Sequence, residues 1–423
     1  MNGDPQLNGS DYLMLGFDYE LRRQGFAGNS CQIVLELGAP IAAADLSQRV
    51  ADLVRRYPIL HARPGGLWLP KWKSAGRSVV GPQVRVHRNQ PGLRQLLADE
   101  PLSLKRGELI RFDLAEHEDG RMDVVFTWAH ALMDANSAEH FLALVGRAEL
   151  PLPAAPPAAP ARAKKPLRER FRLAWKNINQ LDEFCKVAPR SVGVRRPMAT
   201  ARQKYSVEKF SAEETARIRA HSTRMCGALG GAHFHAAAAM VELHRVHQRL
   251  GCVSPSYVLP LPVGLRPKGS VEPLFSNQMT MLMAQFLPEH LGTTASAVAT
   301  LKAQTASAMR AGMLESGVLL AELFRFLPLP VYMAMIKRGL RGEICSLFYG
   351  DTAAVTPLLT TFLGATIEDF THIGATTPSP GLGVIFYFFR GLLRVTVFHL
   401  ENHFSEAEAA EFAAGLRARL LDP

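Results

Sequence analysis

The chain has 423 residues, of which 48% are hydrophobic and 20% are charged, and its formal net charge is +10. This composition is that of an ordinary folded protein and excludes the disordered and fibrous classes. The length exceeds that of a usual single-core domain and predicts two domains of about 150–220 residues each. The N-terminus, MNGDPQLNGSDYLML, has no basic region followed by an apolar core, so we expect no secretory signal.

The positive charge is concentrated in one part of the chain. Residues 161–204 contain 13 Lys or Arg and three acidic residues, which leaves the rest of the chain close to neutral. A nucleic-acid-binding protein usually has a broader basic face with interleaved aromatic residues. We therefore expect no nucleic-acid partner, and the basic segment needs a local explanation.

The cysteines and the most apolar segment indicate the compartment. The five cysteines are scattered, odd in number and without a CxxC pair, which favours free thiols in a reducing, cytoplasmic environment. Residues 317–336 form the most apolar long stretch, but Glu322, Arg325, Pro328 and Pro330 interrupt it. This stretch is a poor membrane span and is predicted to be a buried or groove-lining helix pair.

Strands alternate with helices before residue 150. The patterns predict a strand at 31–37, a helix at 43–57, two strands at 108–117 and 121–128, and a helix that opens at Asn136 or Ser137 and ends near 147. This alternation is typical of a mixed α/β domain.

A Pro/Ala-rich stretch at 151–166, PLPAAPPAAPARAKKP, can continue neither a helix nor a strand and is predicted to be a linker. The next segment is predicted to be an amphipathic helix with apolar residues three or four apart: Leu167, Phe171, Trp175, Ile178, Leu181 and Cys185. The basic residues Arg168, Arg170, Arg172 and Lys176 lie largely off that stripe. One interpretation is a packed crossover helix with a solvated basic side; the other is a docking surface for an acidic partner, a phosphate-bearing substrate or an anionic membrane.

The remainder is predicted to alternate in the same way. We expect strands at 203–210, 256–263 and 279–287, helices from Ser211, at 228–250 and at 294–312, an extended segment at 361–373, and a hairpin of 383–389 with 392–398. Ser405 and Glu408 form a capping box for the last helix. The predicted units are 1–150, then 151–202 as linker and basic crossover helix, and 203–423.

The two halves end on similar patterns. Each has two strands, a histidine and a helix, as FTWAHALMDANSAEHFLAL in the first and VTVFHLENHFSEAEAAEFAAGL in the second. His399 corresponds to His130, but the position four residues later is His403 instead of Asp134. The alternatives are a chance similarity between amphipathic segments and an internal repeat with one working site.

His130 is the strongest candidate for chemistry. With 14 His in the chain, chance supplies about half of one His-x-x-x-Asp pair, so the spacing alone is weak. His130 and Asp134, however, form the only such pair and follow a hydrophobic strand. A neutral imidazole is the natural group to remove a proton near pH 7. Asp134 would orient the ring or brace the loop by pairing with an arginine.

Other interpretations of this pair remain. It could belong to the core with satisfied hydrogen bonds, or bind a metal together with His140, although no third ligand is nearby in sequence and we expect no metal. No G-x-S-x-G elbow, P-loop or G-x-G-x-x-G after a strand is present, which argues against a serine hydrolase and nucleotide-binding folds.

Several motifs in order resemble the chloramphenicol acetyltransferase-like superfamily, which includes condensation domains of nonribosomal peptide synthesis, wax ester synthases and polyketide-associated acyltransferases. The family's HHxxxDG motif is similar to AHALMDA at 129–135. The other similar stretches are RRYPILHARPG (55–65), PLSLKRGELIRFDL (101–114), LPVGLRPKG (261–269), SNQMTML (276–282) and TTFLG (360–364). The likeness covers nearly the whole chain, and the DFGWG motif of the plant branch is absent.

The resemblance implies two α/β sandwich halves that form a pseudo-dimer around a central tunnel. His130 and Asp134 would be the catalytic pair: His130 as general base, and Asp134 mainly structural and paired with Arg266. Asn277, Thr360 and Thr361 would be candidates to bind substrate or stabilise the oxyanion. No cofactor would be bound; acyl-CoA or a phosphopantetheinyl carrier protein would be the co-substrate.

Two residues depart from the family's motif: Ala129 replaces the first His, and Ala135 replaces the Gly. Neither removes the base. The favoured hypothesis is a free-standing acyltransferase that forms an ester with a small-molecule alcohol. The alternatives are an amide-forming enzyme of the same fold and a non-catalytic protein that binds an acyl group or carrier. Peripheral contact with a membrane is a further expectation for this cytoplasmic protein.

Overall fold

The computed structural model of the chain describes residues 5–66, 69–74, 76, 79–88, 90–147, 149–150, 165–193, 195, 202–228, 230–267 and 269–423. Most of the predicted linker, residues 151–164, therefore lies outside the described residues. The described residues form a mixed α/β fold with two lobes, each built on one curled sheet.

The first part of the chain contains four helices and six strands among the described residues. In order these are α1 (Gly9–Arg23), β1 (Ser30–Leu37), α2 (Ala43–Arg56), β2 (Ala62–Gly65), β3 (Lys71–Ser74), β4 (Gln83–Arg88), α3 (Leu93–Ala98), β5 (Ile110–Glu116), β6 (Met122–Ala129) and α4 (Ala135–Gly146). Every residue of β6 is buried, which explains why its β-branched and aromatic residues form a central strand.

The rest of the described chain begins with the crossover helix. Its elements are α5 (Leu167–Lys186), β7 (Gln203–Lys209), α6 (Ala212–Cys226), α7 (Gly231–Arg249), β8 (Tyr257–Gly264), β9 (Met279–Phe286), α8 (Thr294–Arg310), α9 (Met313–Phe324), α10 (Leu329–Gly339), β10 (Phe348–Ala354), β11 (Thr361–Phe362), β12 (Ala365–Ile373), β13 (Leu382–Phe389), β14 (Leu392–Leu400) and α11 (Glu406–Leu421). The predicted capping box of α11 is confirmed: Ser405 accepts from the Glu408 amide, and Glu408 accepts from the Ser405 amide.

The internal repeat is confirmed by the sheet topology. The first sheet contains β1, β6, β5 and β4 in that order, joined by antiparallel, antiparallel and parallel pairings. The second contains β7, β14, β13 and β10 with the same three pairings. A shared strand order with shared strand directions is not expected from unrelated amphipathic segments, so the two halves form a pseudo-dimer.

One strand pair crosses between the halves. β11 and β12 belong to the C-terminal part of the chain but extend the first sheet, where β12 pairs with β1 and places Ile373 opposite Gln32. The first lobe is therefore completed by residues far along the chain. The domain boundaries predicted at residues 150 and 203 follow the order of the chain. β11 and β12 do not respect them, because these strands come from the C-terminal unit but extend the sheet of the N-terminal unit.

Each sheet carries its own hydrophobic core. The first core contains the inward side chains of β1 and β6 with those of α2 and α4. The second contains β13 and β14 with α7, α8 and α11. In α7, Ala236 to Ala239 are fully buried, because small side chains let this helix pack closely on several neighbours.

Several features differ from the expectations. α4 begins at Ala135, one residue before the predicted start, because Asp134 is its N-cap. The elements α1, β2, β3, β4, α3 and β10 were not predicted. The apolar stretch at 317–336 is a helix pair, as predicted, but only Tyr332 and Met333 within it are buried. The stripe of α5 is only partly packed, since Leu167, Phe171 and Trp175 are exposed.

No helix among the described residues is long and apolar enough to cross a membrane.

Candidate functional site

His130 lies just beyond the end of β6, beside the start of β1. Its backbone N–H donates to the carbonyl of Asn29 at 3.0 Å. The residue is partly exposed. Its Nδ1 is buried and has no hydrogen-bond partner among the described residues, so the other ring nitrogen, Nε2, is the one open to a ligand.

The environment of His130 favours the neutral ring. Burial lowers the pKa of His130 below its ordinary value of 6.5, and the nearby backbone carbonyls and the Asp134 carboxylate partly oppose this effect. Desolvation disfavours the imidazolium because a charged ring loses more hydration than a neutral one. His130 is therefore neutral at pH 7 and able to accept a proton.

Asn277 fixes the backbone at His130. Its Nδ2 donates to the His130 carbonyl at 2.8 Å and to Oδ1 of Asp11 at 3.0 Å, and its backbone N–H donates to the same Asp11 oxygen at 2.7 Å. These bonds use both hydrogens of the side-chain amide. The prediction of Asn277 as an oxyanion donor is corrected accordingly: its amide holds the histidine loop.

Asp11, on α1, was not predicted. It is 2% exposed and accepts hydrogen bonds from Asn277 and from the Asn8 amide. Burial raises the pKa of Asp11 to about 7, although the hydrogen bonds from Asn277 and Asn8 oppose the shift. The pattern Asn8-x-x-Asp11 was available in the sequence as a capping box for α1, but nothing there indicated its contact with residue 277.

Asp134 binds the second half of the chain instead of the histidine ring. Its Oδ1 accepts from the Ser137 amide at 3.0 Å and caps α4. Its Oδ2 accepts from Nη1 of Arg266 at 2.6 Å and from the Gln278 amide at 3.0 Å. Of the two roles considered for Asp134, the structure places it as a brace paired with an arginine.

Arg266 makes further contacts between the two halves of the chain. Its Nη2 donates to Ser137 Oγ at 2.6 Å and to the carbonyls of Pro273 and Ser276, each at 3.0 Å. The side chains of Arg266 and Asp134 are 10% and 11% exposed, so the pair is shielded from water and from salt. Asp134 and Arg266 together bind the His130 loop to the segment that precedes β9.

Thr360 and Thr361 lie at the opposite end of the first sheet. Thr361 pairs with Thr366 near the start of β12, whereas the His130 end of the sheet lies beside Ile373. The seven residue-to-residue steps from Met122 to Ala129 along β6 span roughly 23 Å at about 3.3 Å each. The prediction that these threonines serve the His130 site is corrected: the order of motifs along the chain did not specify the end of the sheet.

Among the described ranges, no group of three or more His, Cys, Asp or Glu side chains could hold a metal ion. His140 hydrogen-bonds through Nδ1 to the Asn136 carbonyl one turn earlier in α4, at 2.9 Å. A cavity of only about 10 Å³, about the room that one water molecule needs, is lined in part by Gly28, Ser30 and Asp99. Gly28 and Ser30 flank Asn29, so this cavity lies beside the strand end that carries His130.

No family model and no curated protein matches this sequence. The fold is nevertheless similar to that of solved structures. The TRI3 trichothecene 15-O-acetyltransferase from Fusarium sporotrichioides aligns over 98% of this chain and 94% of its own, with 13% identity and a TM-score of 0.73. The first condensation domain of the calcium-dependent antibiotic synthetase aligns over 100% and 97%, with 15% identity and a TM-score of 0.72.

The epimerization domain from the third module of tyrocidine synthetase B is also similar, over 100% of this chain and 96% of its own, with 11% identity and a TM-score of 0.64. These similarities define the fold. The chain has the two-lobed architecture of chloramphenicol acetyltransferase-like and condensation domains, as the motifs predicted.

Proposed function

We propose that the chain is an acyltransferase that moves an acyl group from a thioester to a hydroxyl acceptor, with His130 as the general base. The observation that carries this proposal is the state of His130: a neutral, partly exposed imidazole with an open Nε2, on a loop held by Asn277 and Asp134. The similarity in fold to an acetyltransferase and to condensation domains supports the same reaction class.

In the proposed reaction, Nε2 of His130 takes the proton of the acceptor hydroxyl as its oxygen attacks the thioester carbonyl. The resulting tetrahedral oxyanion collapses, the carbon–sulfur bond breaks, and the leaving thiolate receives the proton from the imidazolium. No acyl-enzyme forms. A base in this role typically contributes about 10²- to 10⁴-fold to the rate.

The donor would be acyl-CoA or an acyl group on a phosphopantetheinyl carrier, since both present the same thioester. Donor and acceptor would reach His130 from opposite faces of a tunnel between the lobes. Asp134 and Arg266 would hold the histidine loop in position and take no part in proton transfer, because both Asp134 oxygens and both terminal nitrogens of Arg266 are already hydrogen-bonded to each other, to Ser137 or to the backbone.

An amide-forming enzyme is the second candidate, because the condensation domains share the fold and an amine acceptor needs the same base. A non-catalytic protein that binds acyl groups is the third. Ala129 and Ala135 favour it, as they replace two residues of the motif, but both leave His130 in place.

The test is release of free thiol from a panel of acyl-CoA and acyl-carrier thioesters, with matched alcohol and amine acceptors and identification of the product by mass. We expect an ester product, thiol release that depends on the acceptor, and loss of turnover in His130→Ala. An amide product would favour the second candidate, and thioester binding without thiol release would favour the third.

His140→Ala is the matched control, because His140 lies ten residues away on α4 and, among the described residues, its ring bonds only to a backbone carbonyl in its own helix. This variant should keep the turnover of the parent protein. Full turnover by His130→Ala with a defined donor and acceptor would contradict the proposed mechanism.

A further inference from the structure

The N-terminal half of α5 exposes large apolar side chains to water. Leu167, Phe171 and Trp175 are 59%, 52% and 59% exposed. They are spaced four residues apart, so they lie on successive turns along about 12 Å of the helix. We refer to these three side chains as the apolar stripe of α5.

Exposed apolar side chains are not scattered evenly over the molecule. Twelve large ones are exposed among the described residues, and four of them (Leu167, Phe171, Trp175 and Val187) belong to α5 or its C-cap. Three more, Phe326, Val331 and Met335, lie in or just before α10. Single exposed apolar residues are normal on a protein surface, but a concentration of this kind indicates an interaction site.

These helices belong to one packed layer. α9 packs on α5, where Ser316 Oγ donates to the Leu173 carbonyl at 2.7 Å, and α9 leads directly into α10. The inner side of α5 is fixed by buried Ala174 and Asn177. The apolar stripe therefore faces outward because the opposite side of the helix is already packed.

A row of cations lies beside the apolar stripe. Arg168, Arg172 and Lys176 are exposed and follow the same four-residue spacing, rotated by one residue around the helix. Among the described residues, Arg168, Arg170 and Arg172 form no ion pair, and Lys176 donates only to the Ala311 carbonyl. These charges are thus available to an anionic partner.

We propose that this face of α5 docks the protein on an anionic lipid surface. The apolar stripe would enter the boundary between headgroups and acyl chains, and the cations would contact the lipid phosphates. An apolar stripe with a tryptophan beside a row of Arg and Lys is the arrangement of helices that lie in the membrane interface. Three bulky apolar residues on successive turns suit a continuous apolar phase, and the net charge of +10 steers the chain toward anionic surfaces.

The test uses the full chain and co-sedimentation with vesicles of phosphatidylcholine alone or with added phosphatidylglycerol. We expect binding to the anionic vesicles only, weakened by high salt because the attraction is screened. Phe171→Ser with Trp175→Ser should lower the partition coefficient by at least about tenfold. Arg168→Glu with Arg172→Glu should lower it by about 30-fold.

Two matched control variants make the same kinds of substitution at exposed apolar and basic residues outside α5. Leu96→Ser with Val253→Ser removes two apolar side chains that are 46% and 47% exposed, and Lys105→Glu with Arg106→Glu reverses two exposed charges. Both should bind anionic vesicles like the parent protein. Equal losses in the controls and in the α5 variants would overturn the proposal, as would equal binding to neutral and anionic vesicles.

Trp175 provides a direct readout. Trp72 and Trp128 are buried, and Trp68→Phe removes the fourth tryptophan, so the exposed indole reports on α5. Its emission should shift to the blue, and acrylamide quenching should fall, when anionic vesicles are added. Protection of Trp175 before vesicles are added, concentration-dependent dimerisation that requires Phe171, or retention only by an acidic carrier protein would each assign the face to another partner and overturn the proposal.

Discussion

The unit β5–β6–α4 in the first sheet and the unit β13–β14–α11 in the second occupy equivalent positions, but their histidines differ. His130 follows its strand, is partly exposed and has its carbonyl held by Asn277. His399 lies within β14, is 4% exposed, and has no partner for either ring nitrogen among the described residues. A base needs an open nitrogen on a fixed backbone, and only the first unit provides one.

The helix caps differ in the same way. Ser405, a neutral residue, caps α11 with help from Glu408. Asp134 caps α4 and also binds Arg266. Since a neutral residue is sufficient to cap the equivalent helix, the charge of Asp134 is not needed for the helix itself. It is needed to join the histidine loop to the other half of the chain.

The largest expected difference between the units is in turnover. His130→Ala should reduce the rate of acyl transfer by about 10²- to 10⁴-fold, whereas His399→Ala should leave it within a few-fold of the parent protein. Initial rates of thiol release, compared at equal amounts of folded protein, check this expectation. A large loss in His399→Ala at full stability would remove the functional distinction between the two units.

The second difference is in stability. Asp134→Ala should lower the free energy of unfolding by about 3 kcal/mol, because it leaves the guanidinium of Arg266 buried without its carboxylate partner. Ser405→Ala should cost about 1 kcal/mol, the usual contribution of an N-cap. Urea unfolding measures both. Equal losses would mean that the Asp134–Arg266 pair contributes no more than a cap.

A further contrast concerns stability at low pH. Burial lowers the pKa of His399 to about 4, so below pH 6.5 the unfolded chain binds the proton first and the folded state loses stability as pH falls toward 4. The loss from this one group is about 3 kcal/mol by pH 4. His399→Leu removes no side-chain hydrogen bond seen among the described residues and should reduce the acid loss, as unfolding curves at pH 7 and pH 4.5 would reveal. An unchanged acid loss would assign it to other groups.

The smallest expected effect is on the pH–rate profile, in which His130 should set the acid limb and His399 should have no influence. Because burial lowers the pKa of His130, the rate should fall only when the pH drops below about 6.5. His399→Leu should leave the midpoint of this acid limb unchanged. A midpoint above 6.5 would indicate that another group controls the acid limb.

The sequence predicted the elements around His130 because their patterns are local. The apolar run of β6, the histidine after it and the capping box of Ser405 with Glu408 depend on neighbouring residues. The Arg266–Asp134 contact was expected only through the family resemblance, because nothing in the spacing brings residues 132 positions apart together.

The wrong or missing predictions concern features that depend on tertiary packing. The i, i+4 spacing of Phe171 and Trp175 is the same whether the apolar stripe of α5 is packed or exposed. The periodicity therefore could not predict that the stripe is exposed in the described chain. Thr361 was assigned to the site from motif order, which does not specify the end of the sheet. Asp11 escaped notice because its role depends on a contact with Asn277, 266 residues away.

The insertion of β12 beside β1 has a consequence for biosynthesis. Until residue 373 has been translated, β1 is bonded to β6 on one side only and is an open edge of a hydrophobic sheet. Such edges recruit other chains, and domains normally fold from the N-terminus as they emerge. This protein cannot complete its first lobe in that order, because β1 remains an open edge until β12 has been synthesised.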